Sequence, residues 1–189
     1  YWTASTSNPI TDLATAMTFL RDEGNSTGMT VNVVMRSDAM NAFLANAKTQ
    51  TILESRRMDR IKIDMPQFNE ASGMAFHGQV AAGDFVVNLW TYNEKYTNAA
   101  GTTVHYLDND KVIILPSDFQ GKTVFGGLPY MRKTSINGTS ANIPAVKEAD
   151  YLLRAYDDLK TISSVLELTS APLVIPFTID KIYTMKVLA

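Results

Sequence analysis

The chain contains no cysteine. That excludes a disulfide framework and any thiolate metal site, and it suits a reducing compartment. Histidine is scarce, with His77 and His105 as the only two. No apolar run approaches the ~20 residues that a membrane-spanning helix requires. Neither sign of charge dominates: 17 Lys and Arg stand against 19 Asp and Glu, a net charge of −2. Nothing in that balance points to nucleic-acid or membrane-surface binding. The start, Tyr1-Trp2-Thr3-Ala4, has no initiator methionine, basic n-region or apolar h-region. A signal peptide is therefore not expected, and a processed, trimmed or partial chain is. The Asn-x-Thr matches at Asn25 and Asn137 carry no weight without secretion.

What is present describes an ordinary globular protein. Its 189 residues are 46% hydrophobic and 19% charged. This is enough for one substantial core, or one domain and part of a second. Asn8 and Pro9 are suited to open a helix, and Ile10, Leu13, Met17 and Leu20 give it one apolar stripe, with Gly24 as C-cap. Residues 25–28 read as a loop. Val31 to Met35 reads as a short buried strand. Ser37 is a cap for a second helix bearing Met40, Phe43, Leu44 and Ala47 on one face.

Further on, Ile61 to Ile63 predicts a strand broken at Pro66, with a loop from Gln67 to Ser72. Phe85 to Tyr92 alternates strongly, and with Thr102 to Leu107 it predicts a β-hairpin over about 85–107, turning at Asn98 to Gly101. Val112 to Leu115 is a buried strand closed by Pro116. Lys133 to Asn142 reads as a polar loop, and Tyr151 to Tyr156 fits a helix or a strand equally well. Val165 to Leu168, Ala171 to Pro176 and Ile182 to Leu188 are extended. The pattern predicts an α+β fold with a mixed sheet flanked by the two early helices.

Chemistry-bearing patterns are sparse. His77 and His105 lie in predicted strands, without the ligand spacing of a metal site. No Gly-x-Ser-x-Gly elbow occurs. Gly121-Lys122-Thr123 lacks the first glycine of a phosphate loop, and Phe125-Gly126-Gly127 follows where a helix belongs, so it reads as a turn. The segment from Glu54 to Asp64 mixes acids and bases, which suits a solvated surface better than a phosphate backbone. No catalytic, cofactor-binding or metal residue is assigned. A small hydrolase using His77 or His105 with a carboxylate stays as an alternative, because triads are defined by geometry. So does a binding module using the aromatic residues Trp90, Tyr92 and Tyr96.

An ordered set of segments resembles one family. Trp2 followed by Asn8-Pro9-Ile10-Thr11-Asp12-Leu13 is similar to the Trp…(Asp/Asn)-Pro-x-x-Asp-(Ile/Leu) start of the late half of lambda-like tailed-phage coat proteins. Val31 to Met35 with Ala39 to Phe43 resembles their strand-then-helix step, and Glu54 to Arg57 falls where they carry a basic pair. Gly83 to Val87, Tyr92, Tyr96, Gly101 and Tyr106 to Val112 resemble their path through a tyrosine and a glycine turn. Leu107-Asp108 departs from their usual Leu-Pro. Thr123 to Gly126 resembles their Tyr/Phe-Gly step, and Thr169 to Leu173 with Asp180 to Tyr183 resembles their ending.

The resemblance implies the capsid fold shared by tailed-phage coats, encapsulins and the herpesvirus capsid floor. It implies that the N-terminal arm, extended loop and spine helix are absent from this chain. Residues 1–145 would be the axial-type domain and residues 146–189 the returning strands of the peripheral domain, with Val165 to Leu168 and Ile182 to Leu188 in a sub-sheet apart from the axial core. Tyr151 to Tyr156 would be a strand. The implied function is a structural subunit, not an enzyme, that forms hexamers and pentamers around double-stranded DNA. Its partners would be copies of itself, with scaffold, decoration and portal proteins. It would need no cofactor, read no nucleic-acid sequence and touch no membrane. It would reside in the virion after assembly in the bacterial host cytoplasm. An encapsulin-like compartment shell is the structural alternative. No Lys–Asn cross-linking pair is assigned.

Overall fold

Asn8 opens the first helix, α1 (Pro9–Asp22), by accepting a hydrogen bond from the Thr11 N–H at 3.5 Å. Pro9 occupies the first turn, where its missing N–H has no helical partner to lose. Ile10, Leu13, Ala16, Met17 and Leu20 are buried along one stripe. The C-cap is Glu23, not Gly24, and the left-handed residue is Asn25 at φ 49°. Gly24 is needed for space: a Cβ there would stand 2.6 Å from the Asp180 carbonyl oxygen and 2.7 Å from that of Leu20.

The structure, a computed structural model, describes residues 1–54, 61–70, 72–136, 139–158 and 163–189. Strand β1 (Thr30–Met35) buries Val31, Val33 and Met35 in strict alternation. Helix α2 (Ser37–Ala45) begins at Ser37, so the cap position is Arg36, whose side chain makes no cap bond. Asn93 substitutes from across the fold, accepting the Ser37 N–H at 3.2 Å and donating to its hydroxyl at 2.7 Å. Asn46, in extended conformation, ends α2, and α3 (Ala47–Glu54) follows, so Ala47 belongs to the next helix.

The remaining strands of the first half are β2 (Ile61–Asn69), β3 (Met74–Ala82), β4 (Phe85–Tyr92), β5 (Lys95–Thr97), β6 (Thr103–His105) and β7 (Lys111–Pro116). The second half contains β8 (Gly121–Phe125), β9 (Gly127–Ile136), β10 (Thr139–Glu148), β11 (Leu152–Asp158), β12 (Ser163–Thr169), β13 (Pro172–Pro176) and β14 (Tyr183–Lys186). The chain divides into two compact units, residues 1–119 with 178–189, and residues 120–177.

The first unit is built on a six-stranded mixed sheet in the order β14-β7-β1-β4-β3-β2. β1 runs parallel to β4 and antiparallel to β7. One face buries Val80, Ala82, Val87, Leu89, Val112 and Ile114 with the three helices, whose Leu13, Met17, Met40 and Phe43 complete the core. Each Val, Leu, Ile, Met or Phe among them contributes about 1.5–3 kcal/mol through its buried apolar area. Trp2 closes this core: its ring meets Phe43 edge-on at 5.6 Å, its indole N–H donates to Asp12 at 3.1 Å, and its backbone N–H donates to Val187 at 2.8 Å.

Several sequence-based expectations need correction. The strand at Pro66 is not broken; β2 runs on to Asn69 with its register shifting between Ile63 and Gln67. An edge strand with a bulge tolerates proline, because the lost N–H faces no neighbour. Phe85 to Tyr92 does not form a hairpin with Thr102 to Leu107. Both edges of β4 are taken by β1 and β3, and the hairpin is the smaller β5–β6 pair turning where expected. Residues 133–136 and 139–142 of the expected loop are strand, in β9 and β10, and the rest of it lies outside the described residues. Gly121-Lys122-Thr123 is not a turn but the start of β8, which pairs with β13.

The C-terminal segment is also corrected. β12 pairs with β11 in a separate ribbon, as expected of a sub-sheet, but β14 joins the main sheet beside β7. Tyr183, Met185 and Val187 alternate toward the core of the first unit, which draws the strand there. The compact units part after 119 and after 177. Tyr151 to Tyr156 falls largely in β11, so the strand reading of that segment holds.

The second unit consists of three two-stranded ribbons, β13–β8, β10–β9 and β11–β12. Leu128, 1% exposed, is its buried core residue among the side chains described.

Candidate assembly surfaces

The residues singled out for chemistry do not converge. His77 sits at the β3 bulge and bonds the Thr91 hydroxyl at 2.9 Å. Burial lowers its pKa from the ordinary imidazole value. His105 bonds the backbone carbonyl of Asn93 at 3.1 Å. Neither of these partners is a carboxylate, so among the described residues these contacts give the hydrolase alternative no base and orienter. Among the described residues, no group of His, Asp and Glu is placed to hold a metal ion. Most of the mixed charge segment, residues 55–60, lies outside the described residues. Among the described residues, no helix is long and apolar enough to cross a membrane.

Surfaces carry more information. The sheet face away from the helices presents Asn32, Val34, Asn88, Trp90 and Tyr92, all half-buried, because alternation sends them opposite to the core residues. Asn32 accepts from Asn88 at 3.0 Å and from the Trp90 indole at 3.2 Å, and Gln79 donates to Asn88 at 3.0 Å. This amide chain fixes the Trp90 ring. Phe76 stacks on Trp90 at 4.8 Å, while Tyr92, Tyr106 and Tyr96 follow at 6.2 and 4.8 Å. Beside the first pair, Phe68 and Gln67 of β2 help line a groove of about 610 Å³. The result is an aromatic strip along one face of the first unit. Sequence alternation marked Trp90, Tyr92 and Tyr96. Phe76 and Tyr106 join them only through strand register, which no local pattern encodes.

The second unit has a more unusual surface. On the β11–β12 ribbon, Leu153, Leu166 and Leu168 are 55%, 70% and 67% exposed. Leu153 faces Leu168 across the ladder, and Ala155 faces Leu166. The opposite, half-buried face carries Arg154 and Glu167, 3.9 Å apart, with Arg154 also donating to the Pro129 carbonyl at 3.1 Å. The ribbon thus exposes its leucines more fully than its ion pair, whose side chains are 37% and 44% exposed. In the sequence Val165 to Leu168 reads only as extended and Tyr151 to Tyr156 as helix or strand, so neither segment shows which side faces solvent. Met131, Val146, Leu173, Val174 and Phe177 of the same unit are exposed as well.

A helix-backed sheet with an aromatic open face, together with ribbons whose apolar sides meet solvent, gives exposed apolar surface of the kind found where proteins contact other chains. The family can be stated. The family model described as phage major capsid protein E matches residues 1–187, and the chain belongs to that family. The family implies a structural role in a phage capsid and a place in the virion. Among solved structures, one assigned to a prophage capsid protein of E. coli CFT073 matches 99% of this chain with a TM-score of 0.65 at 17% identity. The chain spans about half the length of that structure, 50%. No curated protein matches the sequence. The capsid fold expected from the motifs is therefore the fold observed, as α+β with few helices.

Proposed function

We propose that the chain supplies lateral contacts between copies in an icosahedral shell, arranged as hexamers and pentamers around double-stranded DNA, and that it performs no catalysis. The observation that carries this reading is the outward apolar face of the β11–β12 ribbon. A free-standing monomer gains nothing from exposing Leu166 and Leu168 more fully than the Arg154–Glu167 pair. Heterologous contacts repeated in a closed shell give such a face a use, because weak contacts add through multivalent closure. The unit of residues 1–119 and 178–189 serves as the axial-type domain, and residues 120–177 as the peripheral return. Assembly in the host cytoplasm, with scaffold, decoration and portal proteins as further partners, completes the reading.

The test is sedimentation velocity of the 189-residue chain at rising micromolar concentration. Self-association is expected, and Leu166→Asp with Leu168→Asp is expected to weaken it about tenfold or more, since each buried leucine contributes about 1.5–3 kcal/mol. Association that survives the double variant unchanged removes the ribbon as a contact.

A further inference from the structure

The groove on the open face of the main sheet measures about 610 Å³, within the roughly 300–1,000 Å³ of sites that take small ligands. Its lining is chemically narrow. Among the described residues that line it, three are aromatic, four carry amides, one is a carboxylate, and none is aliphatic or cationic. The aromatic residues are Phe68, Phe76 and Trp90. Phe76 and Trp90 meet at 4.8 Å with their planes 48° apart. The Trp90 ring is held before any ligand arrives, because its N–H donates to Asn32 at 3.2 Å. Asn32 also accepts from Asn88, and Asn88 accepts from Gln79, each at 3.0 Å. A platform fixed in this way loses little freedom on binding.

That lining selects among ligands. A phosphate or a nucleic acid calls for cations, and the one charge here, Glu70, has the wrong sign. The core of a protein contact favours Met and Arg beside its aromatics, and it would cover these amides at the cost of their hydrogen bonds to water. A pyranose ring meets both halves of the lining. Its C–H faces carry partial positive charge and rest on the negative faces of aromatic rings. Its hydroxyls donate and accept, as amides do. Gln79 gives Asn88 one amide hydrogen, which leaves its carbonyl oxygen to accept from a hydroxyl. Glu70 adds a stronger acceptor. Glycoside cleavage takes two carboxylates across the bond, and the described lining has one, so the arrangement suits binding without cleavage.

We propose that this groove binds a neutral oligosaccharide, with pyranose rings laid on Trp90 and Phe76 and hydroxyls held by Gln67, Gln79 and Glu70. Phe76 is the register partner of both Trp90 and Gln67, which sets the three in one row across β4, β3 and β2. Neighbouring strands lie about 4.8 Å apart, so the row spans roughly 10 Å, more than one sugar ring covers. The occupant is therefore a chain of sugars and not a single one. The site does not depend on the shell-building reading, which rests on the β11–β12 ribbon, so either can fail without the other.

The chain has two tryptophans, which makes a direct test. In a proton–nitrogen correlation spectrum of the 189-residue chain, the Trp90 indole reports the groove, and Trp2, 2% exposed, reports the folded core. Cellotriose and maltotriose at rising millimolar concentration are the probes. Saturable movement of the Trp90 signal with at least one of them is expected, while Trp2 stays in place. Glucose, which covers fewer rings, is expected to bind about fivefold more weakly. Phe76→Ala is expected to weaken trisaccharide binding about fivefold through the lost ring. Gln67→Ala, at an exposed position, is expected to weaken it about threefold through a lost hydrogen bond. In both variants an unmoved Trp2 signal shows that the core is intact. No saturable movement with either trisaccharide overturns the proposal, and so does unchanged affinity in both variants. Glucose binding as tightly as the trisaccharides overturns the assignment of a sugar chain. Movement of the Trp90 signal with protein concentration alone would make the face a contact between copies, and overturns the proposal as well.

Discussion

Trp2 shows how much one residue of a motif can carry. It is 2% exposed, stacks edge-on against Phe43, donates to Asp12 and ties the chain start to Val187. The spacing of Trp2, Asn8, Pro9 and Asp12 thus has a physical basis: the cap and proline fix where α1 starts, which places Asp12 under the indole. Trp2→Ala is expected to cost about 3–5 kcal/mol in urea unfolding, the range for truncating a large buried aromatic. Asp118 supplies a pH signature. Burial alone would raise its carboxyl, but the hydrogen bonds from Lys181, Ser26 and Thr27 outweigh that and hold it at about 2. A depressed carboxylate stabilises the fold fully above its unfolded value near 4, and loses that contribution as pH falls through about 2. With 23% of the side chain exposed, the shift corresponds to roughly 2 kcal/mol. Stability measured from pH 5 to pH 2 should fall less steeply in Asp118→Ala than in the wild type; equal slopes would contradict the assignment.

At the scale of elements, the sequence was legible where one face is buried. β1, β4 and β7 each alternate with an apolar side against the helices, and period-two patterning reports that directly. It was least legible in the ribbons, where no core imposes a side. Lys133 to Asn142 reads as a polar loop because its composition is polar, yet residues 133–136 and 139–142 pair as strands. The hairpin at 85–107 failed for a different reason: local alternation fixes a strand but not its neighbours, and β4 found better ones in β1 and β3. β14 leaves the expected sub-sheet for the main sheet because Tyr183 and Met185, with Val187 just beyond the strand, face the core, which only the tertiary packing reveals. Gly78 marks another such point. Its φ of 129° lies in a region that other residues avoid, and it accommodates the register shift beside His77. Gly78→Ala is expected to destabilise by about 1–3 kcal/mol by thermal or chemical unfolding, from backbone strain alone.

For the whole molecule, the question is what this chain does on its own. Its first unit has a complete core on one side of the sheet and an aromatic strip on the other. Its second unit is made of two-stranded ribbons, an architecture that is marginal in water without further packing. The exposed leucines on β11 and β12 therefore favour association, but association is not closure. A closed shell needs each copy to make several specific contacts at once, each burying about 1,000 Å² or more. The chain spans half the length of the prophage capsid chain whose fold it shares, and its outward apolar faces are short ribbons that bind weakly when few neighbours engage. Multivalent closure multiplies contacts only when geometry allows all of them together. The purified 189-residue chain is therefore expected to run as monomers and small oligomers in light scattering at micromolar concentration, with some loss to aggregation through the ribbon faces. Megadalton particles of uniform size would show that the surfaces on this chain suffice for closure, and the account of weak, cooperative contacts would have to be replaced by one in which each contact is strong alone.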